Sequence, residues 1–361
     1  MLASTDGAGH ASALPDRENR TMQLSSIAGS IAAAFTAFAF AASPVSAQAP
    51  FYADKTISIF VSTGTGTTYD LYARITAEHL GRHIPGNPRF IVQSRPGAGG
   101  AVAASFMDAV APRDGTAIAI VQQNVPLFQA LTPDKAKFDM ARMSWVGTLS
   151  DLSSVIAVFH TSPVKSIEAA KTQEIPLGAS GQGSETFQVP TLLNATLGTK
   201  FKVVTGFKDV SEIDLAIERG ELMGRGGSLL SWTSRKQDWL REGKITYLTQ
   251  VGIAKDKTIP NVPLMLDLAT DDKTRQMYAL LGSASAVGRS LFGPPGLPAD
   301  RLTELRAGFD KMVADPVFLA EAQKRSLDIN PSTGAQIQDI VAKTLATPKD
   351  VVDQLRKILG M

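Results

Sequence analysis

The sequence contains no cysteine. That excludes disulfides, thiolate metal sites, a cysteine nucleophile and a lipid-bearing cysteine after a leader, and it ties the chain to no redox compartment. Histidine is nearly as scarce, with four in 361 residues and the last at His160. Gly178-Ala179-Ser180-Gly181-Gln182 approaches the G-x-S-x-G turn of hydrolases but lacks its final glycine, and no histidine follows it, so the Ser–acid–His order is impossible. His79 and His83 share a helix face, yet Leu80 stands where H-E-x-x-H needs glutamate, so surface or packing roles are expected and no metal site. Long basic runs with interleaved aromatics are missing, and 36 Lys+Arg stand against 34 Asp+Glu, a net charge of +2, so nucleic acid is not an expected partner. After residue 47 no segment is long and apolar enough to span a bilayer.

What is present begins with a leader. Arg17 and Arg20 precede an Ala-rich apolar run from Leu24 to Ala42, followed by Pro44 and Val45-Ser46-Ala47. This reads as a secretory signal, residues 1–47, cut after Ala47. A cut after Ala49 also fits the small-residue rule but leaves Pro50 beside the bond, and an uncleaved anchor is the competing reading. Met22 is an alternative start, although it removes both arginines. The mature chain is expected in the periplasm. Its length suggests two domains, and 44% hydrophobic content is ample for both cores.

Short apolar runs then alternate with amphipathic segments. Strands are expected at 56–61, 90–93, 117–121, 155–159, 175–178, 202–205 and 245–251, with a further short run at 221–224. Helices are expected at 69–83, 99–110, 185–197, 211–219 and 234–242. From Pro298 the chain reads as mostly helical, with Asp315-Pro316 as N-cap and first helical residue, then helices over 334–346 and 348–359. This alternation means βαβ units and parallel sheets, with strand-to-helix loops gathered at one sheet edge, where open α/β folds bind ligands. Small residues at 149–153 and 282–288 are the expected crossover points.

The most informative stretch is Ile57–Arg74, a strand, a Ser/Thr/Gly loop and a helix start. The first N–H groups of a helix lack partners and its dipole favours negative charge, so such a loop can receive an anion. Thr67 with Asp70 forms a capping box, which by itself only starts a helix. In the functional reading, the loop N–H groups and the hydroxyls of Thr63, Thr65, Thr67 and Thr68 receive a carboxylate. Gly64 and Gly66 fit G-x-G, but the third glycine position is Tyr69, so no dinucleotide fingerprint is present, and no P-loop occurs. A similar loop, Ala179–Thr186, suggests a ligand held between two lobes. Arg95–Gly100 (RPGAGG) either turns tightly or walls the cleft, with Arg95 drawing an anion or pairing with a carboxylate.

Eight segments together resemble the substrate-binding proteins of tripartite tricarboxylate transporters, the Bug-type extracytoplasmic receptors. In order they are TTYDLYAR (Thr67–Arg74), HLGRHIPGNP (His79–Pro88), RPGAGG (Arg95–Gly100), APRDGT (Ala111–Thr116), GASGQGSET (Gly178–Thr186), IPNVP (Ile259–Pro263), PPGLPADR (Pro294–Arg301) and ADPVFLAEA (Ala314–Ala322). They cover nearly all of the mature chain. The resemblance implies an α/β, two-lobed periplasmic-binding-protein (Venus-flytrap) architecture with a mainly parallel sheet in each lobe and a small carboxylate between the lobes. It places ligand contacts on Thr63, Gly64, Thr65, Gly66, Thr67, Thr68, Tyr69 and Asp70, and opposite them on Ser180, Gly181, Gln182, Gly183, Ser184 and Glu185. Gln122, Gln123, Asn124, Phe207 and Lys208 match secondary wall positions. Thr67 and Thr68 stand where the family has glycine, 282–288 is small where it is commonly aromatic, and Glu185 is unusual in an anion site.

The expectation is therefore a leader (1–47), lobe 1 (48–152 and 283–361) and lobe 2 (153–282). Function is expected to be capture of a small organic acid and delivery to the membrane subunits of a tripartite transporter, by a monomer that is not an enzyme and needs no cofactor or metal. A periplasmic α/β enzyme built on Asp70, Glu185 and Lys208, or a sensor for a signalling partner, are the alternatives.

Overall fold

The computed structural model describes residues 49–182, 184–207 and 210–361. The expected leader, Gly183 and Lys208 lie outside them. The chain runs β1 (Thr56–Val61), α1 (Thr68–His79), β2 (Arg89–Ser94), α2 (Ala101–Ala109), β3 (Ala117–Ile120), α3 (Val125–Leu131) and β4 (Ser144–Thr148). It continues with β5 (Ser154–Phe159), α4 (Ile167–Thr172), β6 (Ile175–Gly178), α5 (Glu185–Leu197), β7 (Phe201–Val204), α6 (Val210–Glu218), β8 (Gly224–Ser228), α7 (Leu229–Arg235), α8 (Gln237–Arg241) and β9 (Ile245–Val251). It ends with α9 (Asp272–Val287), β10 (Ser290–Gly293), α10 (Ala299–Ala314), α11 (Pro316–Lys324), β11 (Ser332–Thr333), α12 (Gly334–Leu345) and α13 (Lys349–Leu359).

These strands form two sheets, β11-β4-β10-β3-β1-β2 and β7-β6-β8-β5-β9. In the first, β1 to β4 share one direction and β10 and β11 oppose them; in the second only β5 is reversed. Alternation along each strand feeds two apolar layers. Ile57, Ile59 and Val61 of β1 join Tyr72, Ile75 and Phe309 on one face, while Phe60 joins Ala103 and Met107 on the other. Central β3 and β4 are buried throughout, as covered strands must be, and edge strand β2 alternates with solvent. In the second sheet Ile156 and Val158 face one layer and Val155, Ala157 and Phe159 the other.

The chain passes between sheets at 149–153 and returns at 288–289. The two passages are hydrogen-bonded: Leu149 N–H donates to the Arg289 carbonyl (3.1 Å) and Arg289 N–H to the Ser150 carbonyl (2.8 Å). Gly288 has φ +50°, and a Cβ there would collide with the Ser150 carbonyl oxygen, so only glycine lets the segments pass this closely.

Several expectations change. The run 282–287 is the end of helix α9, and a Cβ on Gly282 would lie 2.7 Å from the Gly252 carbonyl oxygen, so its small residues serve close packing of the helix. The run expected at 221–224 meets a strand only at Gly224, where β8 begins and continues to Ser228 with sequence GRGGS. Its glycines hide it from any β-propensity reading. Helix α13 puts Val351, Leu355 and Leu359 into the core of the second sheet beside Leu192 and Leu193, whereas α12 packs Ile337 and Val341 on the first.

Candidate ligand-binding site

The first loop leaves the C-terminal end of β1. Thr67 caps α1: its hydroxyl accepts from Asp70 N–H (3.3 Å), donates to the Gly64 carbonyl (2.9 Å) and lies 2.6 Å from the Thr63 hydroxyl. The Asp70 carboxylate accepts from Gly66 N–H and from Arg74 Nε, both at 2.8 Å. Burial would raise this carboxyl, but the bonds from Arg74 and Gly66 outweigh it and hold the pKa below the usual carboxylate range. The loop therefore satisfies much of its own hydrogen-bonding capacity and already holds an anion, leaving the N–H groups of Thr68 and Tyr69 at the first two helical positions.

The second loop follows β6 and is braced in the same way. Thr186 Oγ1 accepts from Ser180 N–H (3.1 Å), and the Ser184 hydroxyl donates to the Gly181 carbonyl (2.6 Å). Glu185 opens α5. The helix N-terminus favours its negative charge, yet burial pushes its pKa up, with the nearby Ser154 hydroxyl pulling the other way. Among the described residues no cation is paired with it.

A cavity of about 340 Å³ joins the sheets. From the first sheet come Tyr69, at the start of α1, and Gln122, Gln123 and Asn124, after β3; Leu127 of α3 sits below them. From the second come Ser184, Glu185, Gln188 and Val189, and α9 adds Leu281, Ala284 and Ser285. Of the expected contacts and wall positions, Tyr69, Gln122, Gln123, Asn124, Ser184 and Glu185 line this space. Thr63, Gly64, Thr65, Gly66, Thr67, Thr68, Asp70, Ser180, Gly181 and Gln182 are outside its lining, and Phe207 packs in the far layer of the second sheet with Ile213 and Trp239. Of the groups an enzyme would need, Asp70 is engaged by Arg74 and off the lining, and Lys208 is outside the described residues.

The residue that sequence reading missed is Arg289. Its side chain is nine-tenths buried, with the guanidinium 4.0 Å from the Tyr69 ring centroid and 5.8 Å from that of Tyr72. Arg289 Nη1 donates to Gln123 Oε1 (2.9 Å), as does the Tyr69 hydroxyl (2.7 Å), while Gln123 N–H donates to the Tyr69 oxygen (3.1 Å). Two donors on Oε1 fix the amide orientation and leave Gln123 Nε2 as a free donor. Arg289 Nε is buried without a partner, and no described carboxylate pairs with the residue. Its role depends on residues far apart in sequence; the only local hint was a basic residue just after the small run.

Other singled-out residues have structural places. Arg95 stacks its guanidinium 3.6 Å from the Phe106 ring centroid and pairs with no described carboxylate, and Gly99 brings its loop against the Gln122 amide. His79 packs on the Phe318 ring with centroids 5.5 Å apart, and His83 Nε2 lies 3.1 Å from Asp315 Oδ2. Leu281, Ala284 and Ser285 share a helix face and would have been legible had α9 been read as helix.

The family model described as tripartite tricarboxylate transporter family receptor matches residues 72–356. A curated relative, the UPF0065 protein in the gbd 5' region of Cupriavidus necator, is 24% identical over 90% of this chain and 95% of its own length. A TctC solute binding protein from Polaromonas, solved without ligand, superposes with a TM-score of 0.67 at 18% identity, covering 84% of this chain and 99% of that one. Rpa4515 of R. palustris, solved with adipate, gives 0.56 at 18% identity over 85% and 97%. These likenesses show the two-sheet fold.

Proposed function

The chain belongs to the tripartite tricarboxylate transporter receptor family, and from that premise we propose that it captures a small carboxylate-bearing ligand outside the cytoplasm and delivers it to the membrane subunits of such a transporter. The observation that carries this reading is one cavity lined from both sheets, with the polar groups Tyr69, Gln122, Gln123 and Asn124 facing Ser184, Glu185 and Gln188 across 340 Å³. A cavity assembled from two sheets joined by two short crossing segments suits a ligand that draws the halves together. The carboxylate docks on the Tyr69–Gln123 side, with Arg289 behind it. The second sheet's loop then completes the contacts. Residues 1–47 export the chain, and the mature receptor works as a periplasmic monomer. The crossing segments serve as hinges, and α13 travels with the second lobe.

A thermal-shift screen of the mature protein, freed of retained ligand by unfolding and refolding, against mono-, di- and tricarboxylates tests this. At least one acid is expected to raise the melting temperature in proportion to the logarithm of its concentration, as a native-state ligand must. A flat response from folded, ligand-free protein to every acid would overturn the reading.

A further inference from the structure

The cavity has an uneven charge layout. Its described lining contains no Lys, Arg or His and one ionisable acid, Glu185. Arg289 lies behind Tyr69 and Gln123 of that lining, with its Nε unpartnered and its charge unmatched by any described carboxylate. One end of the cavity therefore offers donors: the Gln123 amide nitrogen, the amides of Gln122 and Asn124, and the field of a buried guanidinium. The other end offers an acceptor at the start of α5, also without a described counter-charge. A ligand with carboxylates at both ends would set one of them beside Glu185. Two carboxylates sharing a partly desolvated site cannot both stay ionised without a penalty.

We infer that the site is two-poled: it selects a ligand with one carboxylate, held on the Tyr69–Gln123–Arg289 side, and one nitrogen donor, an ammonium or carboxamide, held by Glu185, over a ligand with two carboxylates. This rests on the receptor reading. Each pole leaves one partner for the ligand to supply, and a ligand carrying both partners satisfies both. The elevated pKa of Glu185 accords with an acid awaiting a partner. Glu185 then acts as a specificity-determining residue, rejecting the dicarboxylate by leaving its second charge unpaired against like charge.

The test is calorimetric titration of the full mature protein with two matched sets. One is succinate, succinamate and 4-aminobutanoate; the other is glutarate, glutaramate and 5-aminopentanoate. In whichever length binds, at least one nitrogen-bearing member is expected to bind about tenfold or more tighter than the dicarboxylate, and the better member identifies amide or ammonium. Glu185→Gln is expected to shrink that ratio by about tenfold, mainly by tightening the dicarboxylate. A dicarboxylate that binds the wild type as tightly as its nitrogen-bearing partners, or a ratio unmoved by Glu185→Gln, overturns the inference and leaves the receptor reading standing. If neither set binds while a different acid stabilises the protein, the two-pole layout is wrong. If no acid of any class binds, the receptor reading fails and takes this inference with it.

Discussion

Two acids open two similar helices in this molecule, and their fates are opposite. Asp70, in the first turn of α1, receives Gly66 N–H and Arg74 Nε, each at 2.8 Å, and its pKa falls. Glu185, the first residue of α5, meets no cation among the described residues, lines a cavity, and its pKa rises. Helix dipole and loop chemistry are nearly the same in both. The difference is a partner one turn away: α1 supplies Arg74 four residues after its acid, whereas α5 has Val189 at that spacing. A helix start thus becomes either a closed cap or an open half-site, depending on whether its own sequence brings a counter-charge.

The largest expected effect lies in the two arginines. Arg289→Met should weaken ligand binding by about 2–3 kcal/mol, the scale of a charge-assisted hydrogen bond, as read by calorimetry. Arg74→Met should leave affinity unchanged, since Arg74 is half-exposed and engaged by Asp70. Equal losses from both would break the contrast. Next, Asp70→Asn should destabilise the unliganded protein by about 1–2 kcal/mol, measured by urea unfolding. Glu185→Gln should be neutral or stabilising by up to about 1 kcal/mol, because it removes a half-buried carboxylate that no described cation offsets. The same acid-to-amide change then carries opposite signs at the two helix starts.

Their pH dependences should oppose each other as well. The pKa of Asp70 is depressed on folding, so its contribution is full above the unfolded value of about 3.9 and is lost as pH falls toward the folded one. The pKa of Glu185 is raised, so its cost is absent below the unfolded value of about 4.3 and grows as pH rises to the folded one. Melting temperatures of wild type and each amide variant from pH 3 to 8 check both signs. The smallest expected effect is Thr67→Val, at about 1 kcal/mol of stability through the lost cap and not through the ligand.

Thr67 also shows how far the sequence carried. The Thr67 cap was legible because Asp70, whose N–H it accepts, stands three residues on, although the reciprocal half of the box is missing because the Asp70 carboxylate takes Gly66 N–H instead; α/β architecture was legible because β-branched runs alternate with amphipathic segments. What stayed hidden depended on distant partners. β8 is a strand because Arg225, fully buried, reaches Asp214 at 2.6 Å and stacks 3.9 Å from the Trp232 ring centroid, which no local pattern in GRGGS announces. α9 keeps its glycine because Gly252 lies against it. The Tyr69–Gln123–Arg289 group joins three segments that meet only when the first sheet forms. In the first loop the Thr67 hydroxyl is engaged by Thr63 and the Gly64 carbonyl, and the Asp70 carboxylate by Gly66 N–H and Arg74.

The most direct test of a cavity receptor is a crystal structure of the protein with the acid that most raises its melting temperature. Ligand density is expected between Tyr69–Gln123 and Ser184–Glu185, with a carboxylate on the Gln123 side. Density confined to the exposed Gly64–Gly66 loop, or anywhere outside that cavity, would contradict it.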